Sequence, residues 1–136
     1  MKTERGMDWE LNFREDEILE MKTSGIFSFD DLTKMVEQVM DDPKWKPGMN
    51  VIADFRDVDV KGVNVNEIYR AKNLHVQYND MAGEGKIATI LSSNLAYGFS
   101  RVYQSISNSH VKSRIMSFRD YENGIDWIQG KLEMET

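Results

Sequence analysis

The stretch "NVIADFRDVDVKGVNVNEI", residues 50–68, decides how this chain is read. Its apolar run 51–55 is short and follows the turn residues Pro47 and Gly48, which marks a central strand. From residue 63 the spacing changes. Ile68, Ala71, Leu74 and Tyr78 recur on one side of a helix. Between strand and helix lie Asp54, Arg56, Asp57, Asp59 and Lys61, read as a charged loop at the strand's carboxyl end. Open α/β sheets bind ligands beyond those ends, so this loop is the first candidate site.

Working outward, Trp9, Leu11 and Phe13 alternate with polar residues, as in a half-buried strand. A charged turn at residues 14–16 leads to a second strand, and the two form a hairpin. A helix follows over 27–42, with Ser28 as its cap, Phe27 and Leu32 as a hydrophobic staple, and Leu32, Met35, Val36, Val39 and Met40 on one face. Beyond the central stretch come a strand at 87–91 and a helix capped by Ser93 or Asn94, with Leu95, Phe99, Val102 and Ile106 facing inward. A strand at 113–118 and a final helix over 119–134, burying Ile125, Ile128 and Leu132, complete the chain. The order is ββαβαβαβα: an α/β fold with a mixed sheet of five strands and four helices packed on it.

The 136 residues suit one domain, 1–136, with its core at about 8–132. A net charge of -6 argues against a nucleic-acid binder or an anionic-membrane binder, both of which need a positive footprint. No cysteine means no disulfide, thiolate metal site or thiol nucleophile. The start lacks a signal peptide's apolar core and no run is long enough to span a membrane, so the expectation is a cytoplasmic protein. Acids are absent from residues 85–119, where Lys86, Arg101, Lys112, Arg114 and Arg119 supply the positive surface.

The element order, Pro47-Gly48, Asp54-x-Arg56-Asp57, Tyr97-Gly98-x-x-Arg101 and Phe118-Arg119-Asp120 before Trp127-Ile128 together resemble the SpoIIAA-like (STAS-like) proteins, in particular small bacterial members of unassigned function. In the anti-sigma-factor antagonists of that fold, a serine after the third strand is the phosphorylation switch. Here Gly62, Val63, Asn64 and Val65 occupy that region, and no serine or threonine stands between Thr33 and Thr89. The resemblance therefore implies a STAS-like module without its usual phosphoacceptor. A looser kinship to lipid-carrying SEC14 domains implies a lipid-like ligand, although those domains are larger.

Each candidate has a plain structural alternative. Asp54, Arg56, Asp57 and Lys61 would bind a partner or ligand, or form a solvated ion-pair network. Asp54 would accept hydrogen bonds from loop amides. Ser92, Ser93 and Asn94 would hold an anion at a helix start, or simply cap it. Tyr97 and Arg101, of types enriched in interface hot spots, stand with Asn94 and Gln104 on the outer face of that helix and would form a binding face, or a solvated one. Gly98 in that helix suggests a close approach to the sheet or to another subunit. His75 and His110 are too far apart in sequence to suggest a metal pair, and Trp45 would cover the core edge or anchor a partner. No catalytic signature, cofactor motif or metal site is found. Two readings stay open: a non-enzymatic interaction module binding another protein or a second copy of itself, and a binder of a small anionic or lipid-like ligand at the strand ends.

Overall fold

The computed structural model describes residues 6–132. Strands β1 (Met7–Phe13) and β2 (Ile18–Ile26) form an antiparallel hairpin with Phe13 opposite Leu19. Helix α1 (Phe29–Asp41) is capped by Ser28, whose hydroxyl accepts the Asp31 N–H at 3.3 Å. Next come β3 (Asn50–Asp59), α2 (Val65–Gln77), the short α3 (Asn79–Ala82) and β4 (Lys86–Ile90). Helix α4 (Asn94–Ser107), β5 (Arg114–Phe118) and α5 (Tyr121–Ile128) follow. Residues 133–134, assigned by sequence to the last helix, lie outside the described residues. The sheet order is β1-β2-β3-β4-β5, with every pair after the first parallel.

Three sequence expectations need correction. The first is the helix count, because α3 is an additional single turn. The second is the charged loop, because β3 runs on to Asp59. Past Asp54 it leaves β4 behind and pairs with β2 alone, after a register shift between Lys22 and Ser24. Arg56, Asp57 and Asp59 are exposed there while Val58 is buried, which is alternation on a protruding strand.

The third concerns α4. Leu95 and Val102, expected inside, are 50% and 41% exposed, while Gln104, expected outside, is buried. The cause is the free edge of β5. Gln104 Oε1 accepts the Ser117 N–H at 2.9 Å, and Asn108 accepts the Ile115 N–H and donates to the Ile115 carbonyl. An unpaired strand edge needs such cover, and polar side chains of α4 provide it. Ala96, Ser100 and Ser107 share that buried face. Gly98 faces open space, so close approach to the sheet is not its role.

The strands alternate between two packed faces. On one, α5 lies over Ile18, Ile52, Ala88, Ile90, Met116 and Phe118, with Trp127 sealing the layer at 1% exposure. An added methyl at Gly124 would fall 2.6 Å from Ile90 Cδ1, so a larger residue there would require the Ile90 side chain to shift. The other face carries α1, α2 and α4. There α2 packs mainly against α4 and α1.

Candidate functional site

Of the nine residues singled out by sequence, Asp54 and Arg56 stand together in a solvent-open depression of about 550 Å³ on the α5 side. Its other walls are Glu20, Lys22, Arg119, Asp120, Tyr121 and Glu122. Asp54 is buried and accepts the Arg56 guanidinium at 2.9 and 2.8 Å and the Arg56 backbone N–H at 3.2 Å. Burial works against its charge, but the Arg56 bonds and the nearby Arg56 and Lys22 charges outweigh it and hold its carboxyl below the usual range. Asp54 thus accepts a backbone amide as expected, but from Arg56 within β3 rather than from a loop, and the Arg56 guanidinium is its main partner. Arg56 also lies over the Tyr121 ring at 5.5 Å, and Tyr121 donates to Glu20 at 2.8 Å. Burial and Glu20 push the Tyr121 phenol up to about 12. Four acids face three bases here, so most of the charge is offset locally.

Of the remaining candidates, Ser92, Asn94 and Tyr97 adjoin this depression through Arg56 and Arg119, while Asp57 and Lys61 stand apart from it. Asp57 is exposed, and the Lys61 N–H is held by the Asp59 carboxylate in the turn after β3. Ser92 donates to the Arg56 carbonyl, Ser93 caps α4 by accepting the Ala96 N–H, and Asn94 accepts from Arg119. Tyr97 lies under the Arg119 guanidinium at 4.4 Å and near Arg101 at 6.0 Å. Trp45 covers the core edge and donates its indole N–H to the Met81 carbonyl.

The feature that sequence reading missed lies on the other face. Between the sheet and α1, α2 and α4 is an apolar cavity of about 240 Å³. Its floor is Leu19 and Met21 from β2, Val51, Ala53 and Phe55 from β3, and Ile87 and Thr89 from β4. Met35, Val36 and Val39 of α1, Ile68, Ala71 and Leu74 of α2, and Phe99 and Tyr103 of α4 form its other walls, and its mouth is open to solvent. The inward helix faces signalled a core, yet nothing in their spacing says whether facing side chains meet. Ala53, Ala71 and Ala96 are the legible trace, small residues at positions facing the sheet–helix layer.

At the cavity wall His75 joins Tyr103 and Ser113. Ser113 donates to the Gly83 carbonyl at 2.9 Å, so His75 Nε2 is the donor to Ser113 Oγ at 3.2 Å. His75 Nδ1 then accepts the Tyr103 hydroxyl at 2.9 Å. Burial lowers the His75 pKa to about 4 and raises that of Tyr103 well above the usual phenol range. The imidazole is neutral at pH 7, and both its nitrogens are committed. Among the described residues no three His, Asp or Glu side chains converge as a metal site requires, and no helix is long and apolar enough to cross a membrane.

No family model matches the chain, and neither does any curated protein. A solved structure is similar: an uncharacterized protein of the DUF3478 family, with a SpoIIAA-like fold, from Shewanella loihica PV-4. It aligns with a TM-score of 0.61 at 17% identity, covering 94% of this chain and 98% of that one. Identity that low speaks for fold alone, and the five-stranded mixed sheet with its helix-covered faces agrees with it. The chain is an α/β protein with a SpoIIAA-like fold.

Proposed function

We propose that this protein is a small binding module whose ligand is an apolar molecule held between the sheet and α1, α2 and α4. One observation carries the reading: the 240 Å³ apolar cavity. Interiors are packed like organic crystals. At ~24 cal/mol per Å³, a sealed apolar space of this size would forgo about 6 kcal/mol of packing, an upper figure for a pocket whose mouth is open to solvent. A ligand would restore those contacts. Scaled from benzene in a 150 Å³ cavity, the space suits about ten non-hydrogen atoms. That is one short chain or a fused ring pair, not a phospholipid. This reading keeps the lipid-like ligand expected from the sequence and moves it inside the fold.

Titration with naphthalene tests it. Saturable binding should raise the melting temperature, by about 1.4 kcal/mol of stabilisation at ten times Kd. At ~3.5 °C per kcal/mol for this length, that is about 5 °C. Absence of saturable binding refutes the reading.

A second reading, association with another protein or a second copy, draws support from the outer helix faces. Val65, Tyr69 and Val76 of α2 and Leu95 and Val102 of α4 are exposed, a pattern typical of association surfaces when such residues are contiguous. Sedimentation of the protein alone, across a concentration series, tests the self-association form.

A further inference from the structure

The cavity has a polar end. Thr89 of β4 stands directly opposite Ser117 of β5, and Ser100 of α4 closes over them with its Oγ 2.7 Å from Ser117 Oγ. Each hydroxyl brings one hydrogen and two lone pairs. In the Ser100–Ser117 pair one hydrogen is used and the other is not. Thr89 adds a hydroxyl with no partner among the described residues. Thr89 and Ser100 both line the cavity, so a hydrogen-bonding group arriving there meets donors and acceptors in an otherwise apolar space.

Charge is excluded on equally local grounds. No lysine or arginine lines the cavity. The Glu67 carboxylate is committed to the α2 capping box, where it accepts the Asn64 N–H at 3.2 Å. His75 has no free nitrogen and stays neutral. An anion entering this space would lose its hydration with no counter-charge to meet it, a far larger cost than desolvating a hydroxyl.

We infer that the cavity selects a neutral amphiphile, an alcohol, phenol or ketone of about ten non-hydrogen atoms, with its oxygen on Thr89 and Ser100. This rests on the apolar-ligand reading above.

The test compares 2-naphthol with naphthalene, and 1-nonanol with octanoate, on the wild-type chain, Thr89→Val and Ser100→Ala. Thr89→Val keeps the β-branched shape and removes the hydroxyl. The preference for 2-naphthol over naphthalene should fall by about threefold to tenfold in Thr89→Val, the range of one net hydrogen bond. Naphthalene affinity should stay within about twofold, and 1-nonanol should bind at least about tenfold more tightly than octanoate at pH 7. Ser100→Ala should lower the 2-naphthol preference in the same direction, which keeps the test sound if Thr89→Val folds poorly. An unchanged preference in both variants, or octanoate binding as tightly as 1-nonanol, overturns the selectivity while the apolar-ligand reading stands. Failure of naphthalene to bind the wild-type chain overturns both.

Discussion

Ala53→Ile should make this protein more stable and abolish the proposed ligand binding. Ala53 sits mid-strand in β3, between Met21 of β2 and Thr89 of β4, and is 5% exposed. Its methyl forms part of the cavity floor. Isoleucine adds three carbons, worth about 2.4 kcal/mol at ~0.8 kcal/mol per buried methylene. The cavity scale gives a similar figure: about 75 Å³ filled, at ~24 cal/mol per Å³, is about 1.8 kcal/mol. Isoleucine also suits a strand better than alanine, whereas imperfect fit subtracts part of the gain. The expected net is about 1–2 kcal/mol, or about 4–7 °C in melting temperature at this chain length. Urea unfolding should show a higher midpoint with an unchanged slope, and naphthalene should no longer bind. A lower midpoint would refute the reasoning, since Met21, Thr89 and the helices would then already fill the space. A midpoint raised with naphthalene binding intact would put the ligand elsewhere.

Three further outcomes are expected. His75 is held at about 4 against an ordinary 6.5, so its contribution is complete above pH 6.5; about 3 kcal/mol is lost as pH falls towards 4, because the unfolded chain takes up the proton first. Melting from pH 7 to 4.5 should therefore be steeper for the wild-type chain than for His75→Gln. Asp54→Asn leaves Arg56 a neutral acceptor in a buried place and should cost about 1–3 kcal/mol, seen as a lower urea midpoint; an unchanged midpoint would show the pair to be dispensable. Tyr97→Ala with Arg101→Glu removes a partly exposed ring and reverses an exposed charge, so stability should shift by no more than about 0.5 kcal/mol per site while any self-association weakens, most at low salt. Sedimentation that does not change would exclude that face.

The fold was legible where side-chain period and backbone demand agree. Met35 and Val39 of α1 are buried as their spacing requires, and so are Ile68 and Leu74 of α2. Ser28 capped its helix for a local reason visible in the sequence. The reading failed where a non-local demand overruled the period. In α4 the apolar spacing of Leu95 and Val102 pointed inward, yet the unpaired edge of β5 drew Gln104 and Asn108 to it. That edge exists only once the sheet order is known. In β3 the charges at 54, 56, 57 and 59 resembled a loop because this strand outruns its neighbour β4, a fact of register rather than composition.

The cavity was hidden for a different reason. A sequence names the residues that face a core but not the distance between them, and a cavity is that distance. The helix α2 packs mainly on α1 and α4, so its placement over the sheet depends on elements outside its own stretch of sequence. Alanine at 53, 71 and 96 then leaves the gap unfilled. Larger aliphatics at those positions would give a more stable chain by the cavity argument. Small residues there, beside a threonine whose hydroxyl has no partner among the described residues, suit the proposed ligand site better than a core packed for stability alone. The opposite face is sealed by Trp127 and the close approach at Gly124, and this difference in packing between the two layers is what the proposed ligand reading rests on.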